Sequence, residues 1–382
     1  MGLADELQYL RQQTPLTARV AHGFRSRDLR GVCMAFSVHL DIKTVPVLEA
    51  VLEAGARVVV VTCNPATVRH EVSRYLQNRG ALVRARAEMS HQEWEDSFRW
   101  ALDQGPHYLC EMGAELATRA AANRKLGASV RAGMEATGTG VQRLREVALP
   151  FPVLDWNALP LKEGLHNRYL VGLVTWTTFL EVARVTLYGR RVAVVGYGPV
   201  GQGVAEYARL LGGIPVVVEL SPTRQLLARY AGCEVARLED ALASADVVVT
   251  ATGREGAVRE EHFRLLREGA FLLNVGHTNR ELDVEALRRY PSRRLRPHLE
   301  EVQLPGRRVY LLAGGAMFNL AAGPGDPYDA FDLTSALLLA GIAHLVDHGH
   351  RYSPGLHPMP REVEAEVASL DPHLFSHAPD LR

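Results

Sequence analysis

Lysine is almost missing from this chain. Of its 43 cationic residues only Lys43, Lys125 and Lys162 are lysines, so arginine serves wherever a surface charge suffices, and each lysine invites a chemical question. Cysteine is also sparse. Cys33, Cys63, Cys110 and Cys233 lie far apart with no C-x-x-C spacing, which argues against a disulfide framework or a structural zinc site. No uninterrupted apolar run approaches the roughly 20 residues of a membrane span. Charge of either sign is not in excess, since Asp plus Glu also total 43. Nothing in that balance favours nucleic acid or an anionic membrane as partner, and small neutral or zwitterionic ligands stay open. The scattered cysteines leave no bound metal expected, and the first twenty residues are polar, with Asp5 and Glu6 ahead of any apolar run, unlike a targeting peptide, so a cytoplasmic location is expected.

What is present is organised around residues 190–224, RRVAVVGYGPVGQGVAEYARLLGGIPVVVELSPTR. Val192–Val195 form a short β-branched run that ends in the G-x-G-x-x-G turn Gly196-Tyr197-Gly198-Pro199-Val200-Gly201. A helix with Val204, Ala205 and Ala208 on one side follows, and Ile214–Val218 supplies the next strand. Each part suits a dinucleotide. Gly196 permits the tight turn, Gly198 lets backbone approach a pyrophosphate, Gly201 lets helix and strand pack closely, and the helix N-terminus offers N–H groups to phosphate. Glu219, 23 residues after Gly196, can accept hydrogen bonds from ribose hydroxyls, which favours NAD over NADP. Arg224 points the other way, because an arginine beyond this strand can receive a 2′-phosphate.

Strand and helix patterns alternate along the chain, as in doubly wound parallel sheets. The spacing predicts a helix over 3–13 followed by a Pro-containing connection, strands at 31–36, 57–62, 80–85 and 107–111, and helices at 44–54, 68–77 and 92–102. Further strands are expected at 247–251, 271–275 and 309–313. Long apolar helices are expected over 164–188 and 329–348. The expected fold class is α/β with two doubly wound parallel-sheet domains, the second a Rossmann domain for NAD, joined by long hinge helices. Boundaries are expected at 1–183 for a substrate domain, 184–328 for the NAD domain and 329–382 for a return helix and C-terminal segment. The cleft between domains is the expected site, the alternative being that both long helices are only interdomain core. In the first domain, the strand ends at 37–39, 63–64 and 111–114 and the turn at 135–140 are where ligands of such sheets sit.

The run VAVVGYGPVGQG with VVVELSP, ATG at 251–253, NVGH at 274–277 and LLAGGAMFNLA at 311–321 resembles, in order and spacing, the NAD domain of S-adenosylhomocysteine hydrolases. VHLDIKT at 38–44, TCN at 62–64, EATGTG at 135–140 and NALPLKEGLHN at 157–167 extend the resemblance more faintly, so that it covers roughly residues 20–365. The resemblance implies an enzyme of one-carbon metabolism that oxidises a ribose 3′-hydroxyl, eliminates a thiol from the 5′ carbon, adds water and reduces the ketone again, with NAD restored at each turnover. It implies that Lys162 serves the 3′-hydroxyl as base or proton relay, a role open to a desolvated lysine and closed to arginine. It implies that Asn167 lies beside the nicotinamide, that His39 handles protons near the 5′ position, and that His277 lies where cofactor and substrate meet. Thr137 and Thr139 match threonines that reach NAD, Asn319 matches an asparagine on the nicotinamide amide, and Thr252 and Gly276 belong to the cofactor motifs.

The departures fall on the substrate side. Ala136 stands where the family has a Glu before its Thr-Thr-Thr run, with Glu135 one place earlier. Met112, or with a shifted gap Glu111, stands for a substrate aspartate, His166 for the aspartate before Asn167, Asp326 for the histidine of a His-Pro pair, and Asp41 for a substrate threonine, with Thr44 close by. Residues 359–382 hold neither the lysine nor the tyrosine that a family tail brings to a neighbouring subunit's NAD, so weaker cofactor retention is expected. The leading expectation is an adenosylhomocysteinase-like, NAD-dependent homo-oligomer acting on S-adenosylhomocysteine or a related nucleoside thioether. A paralogue with a different nucleoside substrate, a dehydrogenase of a small hydroxy compound, and a non-catalytic NAD- or nucleoside-binding protein are the alternatives.

Overall fold

In the first half of the chain, β-branched and apolar runs form strands that are buried on both faces, except at the edge strand Leu82–Arg84, whose Leu82 and Arg84 are exposed. The computed structural model describes residues 2–371. Six of these strands are β1 (Cys33–Val38), β2 (Arg57–Thr62), β3 (Leu82–Arg84), β4 (Tyr108–Glu111), β5 (Ala132–Glu135) and β6 (Pro152–Asp155). They pair in parallel in the order β6-β5-β4-β1-β2-β3, and Gly355–Pro358 adds a seventh strand beside β6. Alternate residues of each strand enter opposite cores. Met34, Phe36, Val58, Val60, Leu154 and Trp156 share one with the helix Tyr328–His348, while Ala35, Val59, Val61 and Leu109 share the other with Phe98, Leu102 and Leu116. The helix Tyr328–His348 is apolar and long enough to cross a bilayer, but Ala336, Leu337, Leu339, Ile342 and Leu345 are no more than 1% exposed in this core.

The second sheet contains β7 (Arg191–Val195), β8 (Ile214–Val218), β9 (Glu234–Val235), β10 (Val247–Thr250), β11 (Ala270–Asn274), β12 (Ser292–Arg296), β13 (Leu299–Leu304) and β14 (Arg307–Leu312). Its order is β12-β13-β14-β11-β10-β7-β8-β9, antiparallel only where β13 pairs with β12 and β14. Strand order reverses between β7 and β10 here and between β1 and β4 in the first sheet. These are the points where open α/β sheets present a crevice at their carboxyl ends. The outermost strand, β12, exposes Arg293, Arg294 and Arg296, charges that discourage edge-to-edge pairing.

Two compact units result, one running to Lys162 and resuming at Pro327, the other Glu163–Asp326. The expected boundaries at 183/184 and 328/329 therefore shift. Val171–Ala183 belongs to the second unit, because Trp176 Nε1 donates to Val204 O at 2.8 Å and a Cβ at Gly172 would meet Gly203 at 2.6 Å. Tyr328–His348 belongs to the first, where Asp332 accepts hydrogen bonds from the N–H groups of Leu16 and Thr17. Those two groups open a second helix, Pro15–Phe24, where the sequence pattern predicts a connection. Pro15 reads as a breaker, but at N1 it starts a helix without losing a bond. Nor is 164–188 one helix: Leu161–Leu170 is a π-helix, and the α-helix after it stops at Arg184, with φ 58°.

Candidate functional site

In the second unit, Gly196 (φ 99°) turns the chain where a Cβ would sit 2.6 Å from Ala251 O. At Gly201 a Cβ would lie 2.0 Å from Gly196 O, while at Gly198 it would meet no atom within 4 Å. Two glycines are thus required by the protein's own packing, and the third borders open space where a pyrophosphate can approach. Pro199 is the first residue of the helix Pro199–Leu210, and Val200 follows in its first turn. The N-cap, Gly198, brings no side chain to the free N–H groups, which leaves them for phosphate. Tyr197 is buried.

Glu219, just past β8, accepts hydrogen bonds from the N–H groups of Tyr197 (2.9 Å), Leu220 (2.7 Å) and Ser221 (2.9 Å). Burial works to raise its pKa, but these three N–H groups and Arg224 outweigh it and hold the carboxyl below its ordinary value. Arg224 Nη1 lies 3.9 Å from that carboxylate. The charge at the end of β8 is thus a fixed anion, whose chemistry suits a ligand with two free hydroxyls.

Thr252 and Gly276 sit on the loops after β10 and β11, and a residue with no signal in the sequence joins them. Glu281 is fully buried and accepts from Thr252 N, Thr252 Oγ1 and Gly253 N, each at 2.8 Å. A Cβ at Gly276 would fall 1.6 Å from Glu281 Oε1, so the NVGH turn closes directly over this carboxylate. Burial raises its pKa. No motif marks Glu281, the first of three acids at alternate positions, with Asp283 and Glu285, in the segment after His277. His277 itself is half-buried, and Asn319 is 3% exposed, with an Oδ1 that has no hydrogen-bond partner. A buried amide oxygen without a donor fits a carboxamide ligand such as nicotinamide. The glycine turn, Glu219 and Asn319 therefore fit NAD.

In the first unit, His39 follows β1 and its Nδ1 lies 2.9 Å from Thr67 Oγ1. Asp41 caps the short turn Ile42–Thr44 and pairs with Lys43, which is 5% exposed. Thr44 Oγ1 donates to Asp41 O at 2.8 Å, so it braces this loop. Thr137 N-caps the helix Gly138–Arg145 by accepting from Gly140 N at 3.0 Å, and Thr139 stands half-buried in its first turn.

Glu111 and Glu135 differ from the substrate role expected of them. Glu111 accepts from Leu116 N (2.7 Å) and Ala117 N (2.8 Å), the first turn of the helix Glu115–Ala122. Glu135 accepts from Gly113 N, Ala114 N, Thr137 N and Thr137 Oγ1, all within 3.1 Å. Every carboxylate oxygen is engaged by the loops around it, so these acids build the frame of the site. At this switch point an internal carboxylate occupies the helix N-terminus that in the second unit is left for a ligand.

Lys162 is 6% exposed, with Nζ 5.6 Å from the centre of the Trp156 ring. The π-helix Leu161–Leu170 carries Lys162, His166 and Asn167. Hydrogen bonds from i to i+5 bring residues five apart onto a common helix face, which an α-helix would separate. Nothing in the apolar periodicity announces this. His166 Nδ1 is 3.8 Å from Asp326 Oδ2, both side chains being largely buried, so two departures from the family pattern meet in one pair.

Residues 178–325 match the family described as S-adenosyl-L-homocysteine hydrolase, NAD binding domain. The S-inosyl-L-homocysteine hydrolase of Methanopyrus kandleri is 32% identical over 381 residues, 96% of this chain and 89% of that one. The adenosylhomocysteinase of Thermococcus kodakarensis is 33% identical over 375 residues, again 96% and 89%. That of Thermotoga maritima is 30% identical over 374 residues, 96% and 93%. With the glycine turn, the Glu219 carboxylate and the Lys162–Asn167 helix in place, this chain belongs to the S-adenosyl-L-homocysteine hydrolase family and uses NAD.

Proposed function

We propose that the protein hydrolyses an S-nucleosyl-L-homocysteine to the nucleoside and homocysteine, and that the base it prefers is a 6-oxopurine, as in S-inosyl-L-homocysteine. The observation that carries the choice of base is Lys43. It is a buried ammonium in the loop that bears His39, Asp41 and Thr44, steadied by Asp41 and lying 5.8 Å from the centre of the Phe331 ring. An ammonium only donates hydrogen bonds, so it suits the keto oxygen of hypoxanthine and opposes the amino group of adenine. Relatives of nearly equal identity carry the inosyl and the adenosyl names, so overall similarity does not choose between them.

Bound NAD supplies the hydride acceptor that makes reversible oxidation of the ribose possible. In this chain Lys162 takes the proton of the 3′-hydroxyl, His39 exchanges protons with the groups that leave and enter at C5′, and Asn319 holds the carboxamide of the cofactor. The helix N-terminus at Gly198 and the carboxylate of Glu219 fix its pyrophosphate and ribose.

The protein is also read as a cytoplasmic homo-oligomer. Leu210, Leu220 and Tyr230 are 70%, 83% and 85% exposed on the second unit, and apolar side chains of this size are what a subunit interface covers. Turnover of S-inosyl- and S-adenosyl-L-homocysteine by the purified protein with added NAD, followed by chromatography and mass, tests the main reading. A higher kcat/KM for the inosyl compound supports it, whereas a preference for the adenosyl compound, or inactivity on both, refutes it.

A further inference from the structure

We infer that Thr67 is a positioning residue that fixes His39 as its Nδ1–H tautomer and so directs the ring's lone pair to Nε2. The meaning of His39 for catalysis rests on the proposed function; its tautomer rests on geometry alone.

Thr67 ends the single turn Pro65–Thr67 that follows β2, the neighbour of β1, with Val38 beside Thr62 in register. Asn64 caps that turn by accepting from Ala66 N through Oδ1, at 3.1 Å. Its carbonyl oxygen receives two hydroxyls, Thr62 Oγ1 at 2.9 Å and Thr67 Oγ1 at 2.7 Å. Two oxygens 2.7 Å apart need a proton between them. The carbonyl has none, and the Thr67 hydroxyl has one. That proton is therefore committed to Asn64 O, and Thr67 Oγ1 can only accept from His39 Nδ1, 2.9 Å away. The reverse arrangement, with Thr67 donating to the ring, would press lone pairs together at 2.7 Å and leave an acceptor unmet.

Two consequences follow. The wire His39–Thr67–Asn64 ends at a backbone carbonyl, so no proton leaves the ring through it, and Nε2 carries all of the exchange. In the elimination half-reaction, once C3′ is a ketone, a base takes the C4′ proton and the C4′–H electron pair becomes the C4′–C5′ double bond. The imidazolium gives its Nε2 proton to sulfur as the C5′–S bond breaks with its electron pair going to sulfur. The ring is then neutral with its remaining proton held at Nδ1, and Nε2 is ready to take a proton from water as the water oxygen bonds to C5′. The electron pair of the C4′–C5′ double bond moves to C4′, which recovers a proton from the base that had removed it. Held as the other tautomer, the ring would meet that water with an N–H.

Nitrogen-15 correlation spectra of the His39 ring in the purified protein read the tautomer directly and need no substrate. A protonated Nδ1 and a bare Nε2 in the neutral ring are expected, with that preference lost in Thr67→Val; a protonated Nε2 in the unaltered protein overturns the inference. In turnover, Thr67→Val should lower kcat by roughly tenfold or more with KM changed less than about twofold, and Thr67→Ser should recover most of the loss. Equal losses in the Ser and Val variants would also overturn it. Absence of turnover in the unaltered protein would remove the proposed function, while the ring spectra would still decide the tautomer.

Discussion

The carboxylate of Glu135 lies against the backbone of Gly113, whose N–H donates to both of its oxygens at 2.9 and 3.1 Å, and so ties the end of β5 to the loop after β4. Glu111 holds the next turn of the same loop. Burial raises the pKa of both carboxyl groups above the ordinary 4.5, and Glu111 is raised further by the charge of Glu135. The folded state therefore binds these protons more tightly than the unfolded chain. Their stabilising contribution is complete below about pH 4.5 and is lost as pH rises through the raised folded-state values. The denaturant midpoint should fall between about pH 5 and pH 8. Glu111→Gln should flatten that fall and, by turning an amide N–H toward Leu116 N and Ala117 N, lower stability by about 1–3 kcal/mol at pH 5.

Replacing Lys162 by methionine keeps the length of a buried side chain and removes its proton chemistry. Turnover should fall by roughly 10²–10⁴-fold, the range of a lost acid–base group. NAD content of the purified variant, measured by absorbance after denaturation, should be unchanged, because the glycine turn belongs to the other unit.

The glycines of the turn separate folding from binding. Gly198→Ala meets no protein atom within 4 Å, so its melting temperature without NAD should match that of the unaltered protein while NAD affinity drops at least about tenfold. Gly201→Ala brings a Cβ to 2.0 Å from Gly196 O and should lose several degrees of melting temperature as well as the affinity. Calorimetry with and without NAD distinguishes the two.

Glu219 is ionised well below neutrality because its pKa is depressed. The sign is opposite to that of Glu111: its favourable contribution is present above about pH 4.5 and is lost only as pH falls through the lower folded-state value. NAD affinity should be flat from about pH 8 to pH 5 as far as this group is concerned. Glu219→Ala should weaken NAD by roughly ten- to a hundredfold, and should narrow the preference over NADP, with Arg224 3.9 Å away to receive the extra phosphate. Fluorescence titration with both cofactors measures this.

The elements easiest to read are those whose burial is written in one run. RVVVVT is a strand over the whole of 57–62, and the helix Leu3–Gln13 has both of its expected ends. The glycine turn is legible because its spacing joins two glycines that the protein's packing requires to a third that borders open space. Ala132–Glu135 and Pro152–Asp155 go unread because AGME has no β-branched residue and PVLD opens on a proline. The hairpin of β12 and β13 hides behind SRRLR, which is polar because it is an edge. On the substrate side, the roles of Glu111 and Glu135 depend on which way a carboxylate turns, and one-dimensional spacing does not carry that. The π-helix is invisible for a related reason: propensity distinguishes helix from strand, not one helical register from another. Of the tail without lysine or tyrosine, Arg361–Ser369 is helical, and residues 372–382 lie outside the described residues.

The pairing of Gly355–Pro358 with Pro152–Asp155 joins segments about 200 residues apart across an inserted unit. During synthesis the second unit has all of its strands before the first receives its last. At translation rates of about 5–20 residues per second, the Pro152–Asp155 edge waits roughly 10–40 s for its partner. For that interval the nascent protein presents an unpaired, buried-type strand to whatever else is folding nearby, so the yield of active protein should depend on how fast the last sixty residues are made.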